Sequence, residues 1–262
     1  RDRSPSRGLG DVYKRQHSPG LAKRESALTL SRMVHFTLFG IPVYIRPSFW
    51  VVLAIFGGAL SISSVEDLIY PALFVIAGFV AILSHEMGHA LVGRKLGGGQ
   101  QTIVLELFGG LTSSHGMQLT RGGRALMILA GPMMTLLLGI ISLWLTWNIV
   151  APVMTSYNLN FWDLAISPFT AALISPKLYI LSCLIMIGEW WTILNLLPIY
   201  PLDGGQLIAQ YIRSPRKVFM TGFITAILIG LLSFQLFHGY FIPIFMALFA
   251  YSNYREYKNA PF

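Results

Sequence analysis

Six apolar runs occupy nearly half of this chain and dictate the kind of fold that it can adopt. A helix needs about 20 mainly apolar residues to cross the hydrocarbon core of a bilayer, and runs close to that length recur along the sequence. Only 11% of the residues are charged, compared with about 25% in a typical soluble domain. We therefore predict an all-α polytopic membrane protein with about six transmembrane helices. Their approximate limits are residues 48–63, 68–92, 125–153, 178–197, 218–237 and 241–254.

The basic residues lie between these runs in an order that fits six crossings. Lys and Arg precede the first run and recur in the second and fourth connections and after the last run. The connections at residues 64–67 and 238–240 contain no Lys or Arg, and the third connection has Lys177 together with Asp163. Because basic loops stay in the cytosol, we predict a multi-pass protein of a prokaryotic cell membrane with both termini cytosolic.

The net charge of +8 does not indicate a nucleic-acid-binding protein, because the basic residues are scattered at the ends of apolar runs. Membrane topology and anionic lipid headgroups explain that distribution, so we expect membrane lipid as a contact and no nucleic acid. The one cysteine, Cys183, leaves no intramolecular disulfide and no Cys-based zinc site.

Residues 1–32 differ from the rest of the chain, because they are polar and basic and lack helix or strand periodicity. We interpret them as a basic leader that is disordered or non-native. Residues 1–16 resemble a translated sequencing adaptor, which makes Met33 the expected natural start. The remainder, residues 33–262, is predicted to be a single domain.

The second apolar run contains an HExxH motif formed by His85, Glu86 and His89. On a helix, residues four apart share one face, so both histidines can reach a single Zn²⁺ and the glutamate can act as the general base. Ionisable groups at membrane depth are costly unless they serve a function. The alternative is two buried histidines on a purely structural helix. The second helix is predicted to run from the outer side toward the cytosol, and the motif lies in the last third of its run. We therefore expect the motif near the cytosolic side of the membrane.

A catalytic zinc needs a third protein ligand and an open position for water. The fourth run ends at Pro198 and Pro201, which break the helix just before Asp203. Irregular backbone at membrane depth is tolerated only where it is buried in protein or lines a wet cavity, so Asp203 could turn back toward the metal. An ordinary loop after a helix is the alternative. The other acidic or histidine candidates are Glu106, His115, Asp163 and Glu189.

The combination of HExxH on one apolar helix with the sequence NxxPxxPLDGG from Asn195 to Gly205 resembles the site-2 protease family of intramembrane metalloproteases. The likeness runs from about Met33 to the C-terminus and includes FGIPV at residues 39–43 and FGG at residues 108–110. It implies that one Zn²⁺ per chain is held by His85, His89 and Asp203, with Glu86 as the catalytic base. It also implies a core made by the second, third and fourth helices, with the first and last helices gating access.

Substrate binding is predicted from the same resemblance together with a strand-like segment. Residues 102–114 read as a membrane-embedded hairpin whose edge can hold an extended substrate by backbone pairing, although a simple interfacial hairpin is the alternative. We assign Asn195, Gly109 and Gly110 to substrate binding. Asn195 can equally be an interhelical hydrogen-bonding residue. Another short strand pair is predicted around Gly40.

The chain departs from the family pattern in two ways. Thr135 stands where Asn is common, which puts a helix-packing hydrogen bond in doubt. No room remains in residues 151–177 for an inserted PDZ domain, and only a short segment follows Tyr254, so the chain resembles compact members without PDZ or CBS domains.

The leading function is an intramembrane zinc endopeptidase that acts on transmembrane proteins, with a regulatory membrane partner. A catalytically silent membrane adaptor is the alternative, against which the intact Glu86 and Asp203 argue. A metal transporter would need further ionisable groups along the other helices, and only Glu189 qualifies. The role of Glu189 stays open between a water path, a substrate contact and a polar pair with Thr135.

Overall fold

The computed structural model describes residues 33–107, 109–157, 162, 165, 167–238 and 241–260. The predicted leader at residues 1–32 and the candidate ligand Asp163 therefore lie outside the described residues. The described chain is mainly helical with one small sheet, which confirms the predicted fold class. Its strands are β1 (Val34–Leu38), β2 (Ile41–Ile45), β3 (Gln100–Glu106) and β4 (Gly109–His115). Its helices are α1 (Pro47–Phe56), α2 (Ile69–Gly97), α3 (Arg121–Tyr157), α4 (Pro168–Ala172), α5 (Pro176–Asn195), α6 (Asp203–Ile208), α7 (Pro215–Phe237) and α8 (Phe241–Asn259).

Four of the described helices are long and apolar enough to cross a membrane, so the predicted count of six is not confirmed. They cover residues 69–97, 121–151, 176–195 and 215–236. The first predicted span, 48–63, is interrupted because α1 ends at Phe56, with Gly57 as its C-cap, and Gly58 adopts a left-handed conformation with φ of 88°. The last one, α8, carries Arg255, Glu256 and Lys258 in its final turns, and these charges lower its mean hydropathy.

Two separately predicted strand pairs join into one mixed sheet with the order β1-β2-β3-β4. The junction is a parallel pairing of β2 with β3, with Val43 opposite Ile103 and Ile45 opposite Leu105. These four side chains are at most 2% exposed because one face of the sheet packs into the same apolar cluster as residues of α2. Leu107 is not part of this face, because it lies in the turn after β3 and is 42% exposed.

Helices α2, α3 and α5 pack against one another and form the centre of the bundle. Small residues permit the close crossings. A Cβ added to Gly88 of α2 would overlap the carbonyl of Ala130 on α3, and one added to Gly188 of α5 would press on the carbonyl of Thr135. Such small residues let helix backbones approach closely in membrane proteins, where burial of apolar surface drives packing only weakly.

Thr135 stands where Asn is common in the family, and its hydroxyl makes the interhelical hydrogen bond that this difference put in doubt. The hydroxyl of Thr135 on α3 lies 2.9 Å from the hydroxyl of Thr192 on α5, and it also lies 3.0 Å from the carbonyl oxygen of Pro132. Both threonines are buried, so the polar groups satisfy one another at the helix crossing. The α3–α5 contact therefore keeps an interhelical hydrogen bond without Asn.

Candidate metal centre

Two histidines on one face of α2 form the first part of the site. The Nε2 atoms of His85 and His89 lie 3.1 Å apart, and the two residues are 2% and 8% exposed. The Nδ1 atom of His89 lies 2.8 Å from the carbonyl oxygen of Met127 on α3. Because a carbonyl only accepts hydrogen bonds, Nδ1 must carry the proton, which leaves the Nε2 lone pair free for a metal.

Asp203 completes the cluster from a distant part of the chain. It is the first residue of α6 and is 5% exposed. Its Oδ2 atom lies 3.0 Å from Nε2 of His85 and 3.3 Å from Nε2 of His89. No donor among the described residues is positioned to hydrogen-bond this oxygen, apart from the two imidazoles themselves.

The two glycines after Asp203 are required for this approach. A Cβ on Gly204 would overlap the carbonyl of Leu196, and a Cβ on Gly205 would overlap the backbone at Ile199. The start of α6 therefore folds tightly against the segment that leaves α5. This close return of the backbone is what brings the Asp203 carboxylate to the histidines on α2.

The separations within the cluster fit a shared zinc ion. Zinc–nitrogen and zinc–oxygen bonds of about 2.0–2.1 Å in a tetrahedral site place neighbouring ligand atoms about 3.3 Å apart. The three atoms here are separated by 3.0 to 3.3 Å. Two imidazole nitrogens and one carboxylate oxygen are also a donor set that zinc accepts in catalytic sites.

Gly131 on α3 provides the space for the two imidazoles, and the sequence reasoning did not assign it to the site. A Cβ at this position would overlap Nε2 of His89 and come close to Nε2 of His85. The signal that was available is the Gly131-Pro132 pair inside an apolar run, because a glycine in a helix interior costs about 1 kcal/mol relative to alanine and needs a compensating reason.

Glu86 follows His85 on α2 and faces the sheet. Its side chain is 5% exposed, and its Oε2 atom accepts a hydrogen bond of 2.7 Å from the hydroxyl of Thr112 on β4. Gly110, also on β4, lies directly beside the carboxylate, since a Cβ there would overlap the Glu86 side chain. Of these two β4 residues, Gly110 was predicted as a substrate-binding residue and Thr112 was not assigned.

The other acidic and histidine candidates that the structure describes lie outside the cluster. Glu106 forms an ion pair with Arg46, with 3.0 Å between Oε2 and Nη1. His115 is the last residue of β4 and is exposed, and Glu189 is exposed on α5. Among the described residues, the three-residue group that could hold an ion is His85, His89 and Asp203.

The amide of Asn195 is engaged within its own helix. Its Nδ2 atom donates a hydrogen bond of 2.9 Å to the carbonyl oxygen of Trp191. Asn195 is 8% exposed at the C-terminus of α5, close in the chain to the loop that carries Asp203. Among the described residues no hydrogen bond joins it to the histidines, so its predicted contact with substrate stays a prediction.

A residue far along the chain supports the loop that carries Asp203 and was not predicted from the sequence. Asn253 on α8 is 1% exposed and donates hydrogen bonds to the carbonyl oxygens of Tyr200 at 2.6 Å and Phe249 at 2.9 Å. Tyr200 belongs to the loop between α5 and α6, three residues before Asp203. The last described helix therefore holds the loop from which the third candidate ligand projects.

Known proteins resemble this chain in both sequence and fold. The zinc metalloprotease MJ0392 of Methanocaldococcus jannaschii is 29% identical over 227 residues, which cover 82% of this chain and 57% of that protein. The putative zinc metalloprotease sll0528 of Synechocystis is 28% identical over 67% of this chain and 43% of that protein. The chain thus spans about half the length of these curated relatives.

A solved structure has the same fold. The site-2 protease from Methanocaldococcus jannaschii matches with a TM-score of 0.55 and 24% identity, covering 86% of this chain and 95% of that one. At this identity the match concerns the fold alone. The sequence profile of Peptidase family M50 matches residues 73–237, a segment that contains the whole His–His–Asp cluster and its neighbouring glutamate. Because that segment is more than half of the chain, the protein belongs to peptidase family M50, the family of the site-2 proteases.

Proposed function

We propose that this protein is an intramembrane zinc endopeptidase that hydrolyses peptide bonds in or near the transmembrane segments of membrane-bound regulatory proteins. The observation that carries the proposal is the buried cluster of His85, His89 and Asp203 beside the buried carboxylate of Glu86. Structural zinc sites fill all four positions with protein ligands, whereas catalytic sites leave one open. Three candidate ligands next to a carboxylate therefore favour catalysis.

In this proposal His85, His89 and Asp203 hold one Zn²⁺, and Glu86 is the catalytic base. A bound zinc ion would supply Lewis-acid polarisation of water and of the scissile carbonyl. Thr112 donates a hydrogen bond to Oε2 of Glu86, and no described residue donates a hydrogen bond to Oε1. Glu86 can therefore accept a proton from the attacking water at Oε1 and deliver it to the nitrogen of the departing amine.

The sheet offers a way to hold an extended substrate. Strand β4 is the last strand in the sheet order, so one of its edges lacks a neighbour among the described strands. An extended peptide can pair with such an edge through backbone hydrogen bonds. Gly109 and Gly110 begin this strand beside Glu86, and Asn195 ends α5 nearby in the chain; we propose that all three contact the substrate.

An apolar cavity of about 310 Å³ supports a route by which a transmembrane segment reaches that edge. It lies between the first and last described helices and is lined by Phe49 and Leu53 of α1 and by Phe245 of α8. Gly109 and Trp191 also line it, so the cavity adjoins the β3–β4 turn. A hydrophobic segment entering between α1 and α8 would arrive beside β4.

The cellular setting is part of the same proposal. We propose a prokaryotic cell membrane, contacts with membrane lipid, a regulatory membrane partner, and a site that opens toward the cytosolic side. The support is the distribution of basic connections around the apolar runs. The silent-adaptor alternative is disfavoured because an adaptor needs neither a buried carboxylate nor a buried metal-binding cluster, and buried ionisable groups cost free energy.

The test is co-expression with candidate single-span regulatory proteins, comparing the wild type with Glu86→Gln. The substitution keeps the volume of the side chain and removes the base, so we expect zinc content to be unchanged and cleavage to fall at least about 100-fold. The readouts are the cleaved product on immunoblots and zinc per purified chain. A substrate processed equally by both forms would exclude Glu86 as the base and leave the adaptor role as the better account.

A further inference from the structure

The hydroxyl of Thr112 is placed on the carboxylate of Glu86 by the sheet. Its Oγ1 atom lies 2.7 Å from Oε2 of Glu86 and 3.1 Å from the backbone oxygen of the same residue. A threonine hydroxyl has one proton, and a carboxylate is a stronger acceptor than a backbone carbonyl. The shorter contact is therefore the donated hydrogen bond.

Other restraints on the carboxylate are few in the described part of the chain. The terminal torsion of a glutamate side chain is broad, so packing or hydrogen bonds must fix the plane of its two oxygens. Gly110 lies against the carboxylate but has no side chain with which to do this, and among the described residues Thr112 donates the one hydrogen bond to the Glu86 carboxylate. The orientation of Glu86 thus depends on a residue 26 positions away in sequence.

Gly110 and Thr112 share one face of β4 because successive side chains of a strand alternate between faces. Both contact Glu86, which shows that this face of the strand lies against the HExxH turn of α2. Ser113 points to the opposite face and lies 3.4 Å from the carbonyl oxygen of Thr102 on β3. The edge of β4 that has no neighbour among the described strands is therefore linked to Glu86 through the hydroxyl of Thr112.

We propose that Thr112 is a positioning residue for the reaction, which orients the Glu86 carboxylate and fixes its distance from a substrate held along β4. The inference rests on the proposed protease function. Thr112 does not touch the reacting atoms; it acts through Glu86. Its removal should slow the chemical step more than it weakens substrate binding, because a mispositioned base loses a transition-state interaction rather than a ground-state one.

The experiment compares Thr112→Val, Thr112→Ser and the matched control Ser113→Ala in the full chain reconstituted with zinc. The probe is a purified single-span fusion protein that the wild type cleaves, and Glu86→Gln is assayed on the same probe. Valine keeps the shape of threonine without the donor, and one hydrogen bond to a charged group corresponds to a loss of about 10-fold or more in kcat. We expect that loss with KM changed by less than about threefold, and near wild-type kcat for the serine variant and the control.

Zinc content and thermal stability are measured on the same samples, because positioning of the base should leave both unchanged. Wild-type kcat in Thr112→Val, or a serine variant as slow as the valine variant, would overturn the inference. Equal losses in Thr112→Val and Ser113→Ala would also overturn it, since a general strand defect would then explain the effect. Cleavage by Glu86→Gln at the wild-type rate would instead refute the proposed function itself.

Discussion

The site depends both on side chains that can bind a metal and on a glycine that leaves space for them. His85, Glu86 and His89 were predicted from their spacing on a helix, because that spacing is a local property of the sequence. Gly131 was not predicted as a site residue, because its role depends on how closely α3 approaches α2. Its missing Cβ leaves the space that the two imidazoles occupy. A contact between distant segments of this kind has no local sequence signature.

Substitution of Gly131 by alanine tests this reading at the residue scale. The added Cβ would overlap His89 Nε2, so the imidazoles must move and zinc binding should weaken by at least about 10-fold. Gly139→Ala on the same helix is the matched control, because the nearest atom to its added Cβ is 3.9 Å away. Zinc per chain after dialysis against a weak chelator measures the effect. Wild-type zinc retention in Gly131→Ala would show that the site tolerates the methyl group.

At the scale of elements, the sequence predicted which segments are helices and strands better than how they join. The strand pattern around Gly40 and in residues 102–114 was local and was confirmed by β1 to β4. The parallel pairing of β2 with β3 was missed because it links strands separated by two helices. The support of the Asp203 loop by α8 was missed for the same reason.

Asn253 provides the prediction at this scale. Its replacement by leucine removes the 2.6 Å hydrogen bond to the carbonyl oxygen of Tyr200, and the loss of one such bond costs about 0.5–1.5 kcal/mol. The loop should then release zinc faster, and the unfolding temperature should fall. The rate of zinc transfer to a chelator indicator reports this, with Tyr251→Leu as a control because Tyr251 is 66% exposed on the same helix. Equal rates in the two variants would remove Asn253 from the support of the site.

At the scale of the whole molecule, composition predicted a helical membrane protein, and the four apolar helices agree with it. The count of six is not confirmed, and the first predicted span shows why apolar content alone does not measure helix length. Gly57 and Gly58 stop α1 after ten residues, although the apolar run continues beyond them. The orientation of the molecule in the membrane is predicted from the distribution of its basic connections.

Accessibility of single cysteines in intact cells tests that direction. In a Cys183→Ser background, cysteines replace Gln118 and Tyr211 in predicted cytosolic connections and Leu173 in the predicted outer one. All three positions are exposed, so labelling depends on sidedness rather than burial. A membrane-impermeant maleimide should label only Leu173→Cys until the cells are opened. Labelling of Gln118→Cys and Tyr211→Cys in intact cells, with Leu173→Cys protected, would reverse the proposed orientation.

The measurement that tests the central claim most directly is the zinc dependence of cleavage by purified protein. The wild type and Asp203→Ala are stripped of metal with a chelator, and zinc is then restored in the presence of a single-span substrate. Because Asp203 contributes one of three converging ligand atoms, we predict that zinc restores cleavage to the wild type and that the variant recovers less than about 1% of it. Cleavage by the metal-free wild type, or full recovery of Asp203→Ala, would contradict the assignment of this cluster as the catalytic zinc site.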